Sequence, residues 1–364
     1  MTINMICRLM VCLLLLSSTV NSFASTAEAD STRSKKPAVE KKVELSIMPY
    51  LSYNRNLKLM LGVIPMGMYR LNKNDTISPK SLSGLAGVYT TNGSYFFTIF
   101  NKFYLAEDRW RITLFAGTGD HFSQYYLMDE DVDPGFYDYD TKSTMVSVSA
   151  LRRITSGLFG GMGYTFANHH TLFEDNVQDE STTKTHGLEF KLLYDKRNAV
   201  YYPTSGIKTK LRWTTYPGFI GNDIEANKLN AEYNQYFPMK NGTDVLAARF
   251  AGKFGLGDIA FEQQVTIGQA DIRGYSEGKY RGDGTMALQG EYRYNHFGKV
   301  GLVGFFGLAT LYGSGTSSFN WDIYPGGGVG VRYQAFKTMK FNVGLDAAWG
   351  KDDWGVYFRI GEAF

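Results

Sequence analysis

From Val43 to the last residue, apolar and polar side chains alternate in segments of ~10 residues, the length a tilted membrane-crossing strand needs. Val43, Leu45, Ile47, Leu51 and Tyr53 share one face, against Glu44, Ser46 and Ser52 on the other. Leu188, Phe190, Leu192 and Tyr194 oppose Gly187, Glu189 and Lys191; Ile207, Thr209, Leu211 and Trp213 oppose Lys208, Lys210 and Arg212. At the C-terminus Trp354, Val356, Phe358, Ile360 and Phe364 share one parity, and Gly355, Tyr357, Arg359 and Gly361 the other. A soluble protein seldom stops on a half-buried strand with a bare aromatic. A transmembrane barrel does, because its last strand closes the cylinder and its aromatics sit at the membrane interface. Phe358, Ile360, Gly361 and Phe364 are therefore expected to form the barrel-closing strand, with Phe364 at that interface.

The composition fits. A mean hydropathy of -0.23 argues against a helical membrane protein, whereas a barrel hides its apolar residues by alternation. Aromatics make up 15% of the chain, with 40 Gly and 9 Pro. Residues 1–24 look like a secretory signal: Arg8 is the only charge, Leu9 to Leu16 form a short apolar core, and Ser22-Phe-Ala24 suits cleavage. Both cysteines fall inside that segment, which excludes disulfides, thiolate metal sites and cysteine nucleophiles from the remainder. Residues 25–42 are polar, lack aromatics and read as a flexible periplasmic lead. Loss of the signal lowers the net charge from +3 to +2, and nothing points to nucleic acid.

Marking strands by alternation and turns by Gly, Pro, Asn and Asp clusters yields about sixteen strands over 43–364. The longest connections, 120–142, 168–184, 256–284 and 313–324, all follow odd-numbered strands. Even-numbered strands are followed by short links. With the N-terminus in the periplasm, long loops lie outside and short turns inside, as in outer-membrane barrels. The expected fold is all-β: a 16-stranded antiparallel transmembrane β-barrel whose long sixth extracellular loop folds into the lumen. Pro49 and Pro65 each remove a ladder donor near the expected first-to-last seam, which points to weak closure there.

Four motifs carry a family resemblance. Ile272-Arg273-Gly274-Tyr275, in the loop after strand eleven, resembles the [V/I]-R-G-[F/Y] motif of BamA-type barrels. Asp195-Lys-Arg197-Asn198, followed by Pro203 and Gly206, resembles that family's turn between strands eight and nine. Glu291-Tyr-Arg293 resembles its strand-twelve E-x-R element, and Gly361-Glu-Ala-Phe364 its closing strand. On these residues the chain is similar to the BamA/TamA-type outer-membrane assembly and bacterial surface antigen superfamily, which also holds two-partner-secretion transporters. The resemblance implies that the loop folds into the lumen and that Arg273 binds acidic wall residues, Glu291 first, beside Arg293. Guanidinium suits the task, being planar, always charged and bidentate.

There are two departures. The family's second acid, in F-x-D-x-G on strand thirteen, is missing from Phe305-Phe-Gly307-Leu-Ala309, so the latch rests on Glu291 alone or on another acid such as Asp346. The periplasmic POTRA domains of the assembly factors do not fit within 25–42, so a barrel-only member is expected, with docking supplied by a separate protein.

No enzyme is expected. His121, His169, His170, His186 and His296 show no triad spacing, and no catalytic residue, metal site or cofactor is assigned. Tyr324-Pro-Gly-Gly-Gly328 leads into a strand rather than a helix, so it makes no phosphate loop. Asp129-Glu-Asp-Val-Asp133 reads as an acidic loop tip. The functional expectation is an outer-membrane barrel acting in membrane biogenesis or protein and lipid translocation. Its expected partners are outer-membrane lipids, lipopolysaccharide and a separate periplasmic or outer-membrane protein. The alternative is a passive pore or receptor that keeps the fold without the activity.

Overall fold

The computed structural model describes residues 43–364 except 130–131, 175–178, 269–270, 277 and 337–339. The expected signal and lead, with Glu130 and Asp131 of the acidic tip, lie outside the described residues. Sixteen antiparallel strands form one closed barrel, each beside its sequence neighbours and β1 beside β16. They are β1 (Val43–Asn54), β2 (Lys58–Tyr69), β3 (Ser81–Thr90), β4 (Tyr95–Leu105), β5 (Trp110–Asp129), β6 (Val132–Thr155), β7 (Leu158–Phe173) and β8 (Ser181–Asp195). There follow β9 (Gly206–Tyr216), β10 (Ala226–Met239), β11 (Asp244–Gly257), β12 (Gly284–Phe297), β13 (Val300–Tyr312), β14 (Tyr324–Gln334), β15 (Asn342–Gly350) and β16 (Asp353–Ile360). A two-residue ribbon, Val265–Thr266 with Arg281–Gly282, lies within the loop between β11 and β12.

Alternation sets the two faces. Leu45, Ile47, Phe97, Phe190, Phe250, Phe306 and Val329 are exposed on the outer face, where lipid replaces water. Inward positions are polar around most of the ring, but not everywhere. Over β1–β3 the inner wall carries Met48, Ile64, Met66, Met68 and Leu82, which join Phe341 in a buried apolar cluster at the short-turn end.

Two expectations need correction. Residues 120–142 and 168–184 are largely strand rather than loop: β5 and β6 stay paired from Trp110–Arg152 up to Asp129–Val132, and β7 and β8 from Leu158–Tyr194 up to Thr171–Ser181. Polar residues there read as loop, yet the ladder satisfies their backbone groups. Tyr125, Tyr139 and Phe173 also pack edge to face beneath it. The second correction concerns the C-terminus. β16 ends at Ile360, and Gly361 at φ +82 turns the chain away from the lipid face. Phe364 is buried against Tyr202 of the β8–β9 turn and Tyr236, Val245 and Ala247 of β10 and β11. Parity fails as a guide here because a left-handed residue breaks the strand's two-residue period. Phe358 also leaves the simple outer face, meeting Tyr50 at 5.2 Å and packing on the inner apolar cluster.

Closure is uneven. β1 pairs with β2 along its whole length, from Val43–Tyr69 to Asn54–Lys58, despite Pro49 and Pro65. Between β15 and β16 the ladder runs from Val343–Ile360 to Gly350–Asp353. The seam between β1 and β16 has one registered pair, Tyr53 with Val356. Beside it Ser52 Oγ donates to the Val356 carbonyl at 2.6 Å, and Tyr53 stacks on Trp354 at 4.9 Å.

Candidate functional site: the arginine latch

Arg273, in the loop after β11, is 1% exposed. Its Nη1 donates to Asp346 Oδ2 of β15 at 2.6 Å, and its Nη2 to Glu291 Oε2 of β12 at 3.1 Å. Its guanidinium lies 3.3 Å from the ring centroid of Phe305 on β13, a cation–π stack. The acid missing from strand thirteen is thus replaced by Asp346, two strands further round the wall. Strand thirteen contributes an aromatic face instead.

The carboxylates are shared. Arg293 Nε donates to Glu291 Oε1 at 2.9 Å. Arg332 of β14 binds Asp346 and Glu362, and Arg359 of β16 reaches Asp346 at 3.3 Å. Four arginines therefore interleave with Glu291, Asp346 and Glu362 in a near-matched, dry network. Charges so buried persist only when paired and hydrogen-bonded. Gly274, at φ +111, lets the loop backbone approach Trp349 and Gly350 where a side chain would strike main chain. Gly326, in the glycine run of β14, leaves room for Ile272 and the Arg273 carbonyl, whereas Gly328 faces the Ala347 carbonyl and the Phe305 ring of the neighbouring strands. Ile272 and Tyr275 are buried together with Tyr280 and Tyr324.

The neighbouring backbone is fixed as well. Gly274 N donates to Tyr357 Oη at 2.9 Å, and that hydroxyl donates to the Tyr275 carbonyl at 3.0 Å. Tyr275 Oη donates to the Pro325 carbonyl at 2.6 Å; burial pushes this phenol up to about 12. Across the barrel, Glu262 accepts from Thr171 and Ser181 at 2.8 Å and from Thr183 at 3.0 Å. The loop therefore touches inward-facing side chains on opposite walls.

The turn motif forms a separate cluster at the short-turn end. Asp195 accepts from Arg197 Nε at 2.7 Å and from Arg111 Nη1 of β5 at 2.7 Å. Asn198 Oδ1 accepts from Thr204 N at 3.0 Å and Ser205 N at 3.2 Å, closing the turn before Gly206 (φ +100). Arg293 joins this cluster to the latch: its guanidinium reaches the Pro203 carbonyl at 3.5 Å and the Phe364 main-chain oxygen at 3.0 Å. Three of the motifs read separately in the sequence thus meet at one arginine. Sequence reasoning missed Arg332, Arg359, Tyr357 and Glu362. Inward parity of Arg332, Tyr357 and Arg359 was available as a signal; Glu362, beyond the strand end, gave none.

The Omp85 superfamily domain matches residues 79–364, and the chain belongs to that superfamily. Among solved structures it is similar to BamA from Haemophilus ducreyi lacking POTRA domains 1-3, with a TM-score of 0.56 and 13% identity over 86% of this chain and 69% of that one. It is also similar to CdiB from Acinetobacter baumannii, with a TM-score of 0.60 and 13% identity over 87% of this chain. CdiB from Escherichia coli gives a TM-score of 0.60 at 9% identity over 88% of this chain. The chain spans 59% and 60% of the length of those two CdiB chains. At such identities the likeness is one of fold. A comparison with curated protein sequences finds no match. The protein is a bacterial outer-membrane β-barrel.

Proposed function

We propose that this barrel acts in outer-membrane biogenesis or in moving protein or lipid across that membrane, with a separate periplasmic partner and without enzymatic chemistry of its own. The observation that carries the reading is the seam. One registered pair joins β1 to β16, while both strands are fully paired to their other neighbours. Opening there costs few ladder hydrogen bonds and exposes an inner wall that is apolar beside the gap. The latch favours the same reading. It ties the loop to β12, β13, β15 and β16, while beside β1, among the described residues, the loop is met only past the strand end, where Arg55 N donates to Ser276 Oγ at 3.1 Å and Arg55 pairs with Asp353 at 3.3 Å. Lipids and lipopolysaccharide would meet the outer face, and cargo the opened edge.

The test is a lock. Tyr53→Cys with Val356→Cys places two thiols at a registered pair, where antiparallel Cα separations of roughly 4.5–5.5 Å suit a disulfide. Oxidation is expected to abolish the protein's support of the outer-membrane protein or lipid profile, and reduction to restore it. An oxidised barrel as competent as the reduced one, together with an unchanged profile on depletion, would overturn the reading. Lumen cavities favour a second possibility, a passive pore: planar-bilayer conductance raised by deleting residues 271–276 would support it.

A further inference from the structure

The lumen holds a cavity of about 470 Å³ on the side away from the seam, lined by β4–β6, β8–β11 and the β8–β9 turn. Its walls are cationic. Lys208, Lys210 and Arg212 stand at successive inward positions of β9, and Arg249 and Lys253 face them from β11. Lys102, Arg111, Lys191 and Arg197 complete the ring.

Carboxylates are too few to match them. Glu232 is shared by Lys208 at 3.4 Å, Lys210 at 3.3 Å and Arg249 at 3.3 Å. Asp271 serves both Arg249 and Lys253. Asp195, with Asp108, serves Arg111 and Arg197. Glu189 serves Lys191 and Arg212. Eight of the nine cations thus draw on five carboxylates. Lys102, the ninth, has no carboxylate partner among the described residues. It points inward on β4 yet stays accessible, so its ammonium reaches into the open cavity.

An uncompensated cationic cluster in a confined lumen raises the local potential and concentrates anions. The surplus is packed closely, which favours a ligand carrying several charges in a small volume. A phosphate group brings about -1.5 to -2 with three acceptor oxygens, matching the arginine forks and lysine points on the wall. The chamber adjoins a second one. A second cavity of about 790 Å³ at the short-turn end shares Arg111, Asp195 and Arg197 with the first, and Arg109, Arg153 and Lys196 line its approach. We propose that this chamber is a binding site for a phosphate-bearing polyanion entering from the short-turn end, either a free phosphate compound or the headgroup of a phospholipid. The site goes beyond the role inferred from the seam, because it requires no opening there.

The test uses the full chain purified in a non-ionic detergent. Inorganic pyrophosphate is titrated calorimetrically, then phosphatidic acid carried in phosphatidylcholine nanodiscs is offered to the same protein. Saturable, salt-sensitive binding is expected. Lys102→Gln, which orphans no carboxylate, is expected to weaken it roughly tenfold, the loss of one charge-assisted contact. Lys208→Gln with Lys210→Gln is expected to weaken it further, with the heat-shifted gel mobility of the folded barrel unchanged. Pyrophosphate held more tightly than phosphatidic acid assigns a soluble ligand; the reverse assigns a lipid headgroup. No saturable binding of either probe, or binding indifferent to Lys102→Gln and to the double variant, overturns the site.

Discussion

The two walls of this lumen use the same residue types to opposite ends. Against β12–β16, Arg273 of the loop and Arg293, Arg332 and Arg359 of the wall share three carboxylates at near parity, and Glu291 and Asp346 are fully buried. On β4–β11, nine cations stand against five carboxylates around an open cavity, and Lys102 has no share in them. Where water is excluded, an unpaired charge is intolerable, so the count must balance and every partner becomes structural. Where water enters, imbalance is tolerated and becomes a capacity to bind. Charge in a barrel lumen therefore reports a latch or a ligand site according to its matching and its dryness.

Breaking the matched wall is expected to cost most. Arg273→Ala leaves Asp346 and Glu291 without a charge partner they now share, a loss of about 3–5 kcal/mol for removing one member of a buried pair. A lower midpoint of heat-induced unfolding on semi-native gels is the readout; Arg273→Lys is expected to restore only part, since it keeps the charge without the fork or the stack. Next is Phe364→Ala, at about 3 kcal/mol for emptying a buried aromatic site. The same gels check it, and an unchanged midpoint would return Phe364 to the membrane interface.

A smaller effect sits on the far anchor of the loop. Burial alone would raise the Glu262 carboxyl, but its own backbone amide and the hydroxyls of Ser181, Thr171 and Thr183 hold it below the usual range. A depressed folded value contributes stability above the unfolded value of ~4.3, and that contribution is lost as pH falls through the folded value. Hydrogen-exchange protection in residues 258–268, corrected for the intrinsic rate, is expected to fall below about pH 4, with Glu262→Gln abolishing the pH step. Smallest is Lys102→Gln, expected to shift stability by no more than about 0.5 kcal/mol, because it removes no paired charge. A large loss there would erase the contrast between the two walls.

Local pattern determined much of this molecule. Two-residue alternation set strand existence, strand number and the face of nearly every side chain, because a pleated strand offers no other period. The contact between Arg273 and Glu291 was legible from their motif neighbours. Asp346 was legible as an inward acid, though nothing local marked it as the stronger partner, since that depends on how far round the wall β15 stands from the loop tip. The β5–β6 and β7–β8 extensions were hidden because polar, turn-prone residues look alike in a paired hairpin and a free loop. Tertiary structure alone decided three things: the thin β1–β16 seam, the inward fold of Phe364, and the gathering of nine cations from β4, β5, β8, β9, β11 and the β8–β9 turn around one cavity. Each follows from ring closure, which brings together residues hundreds of positions apart at distances that no spacing along the chain encodes.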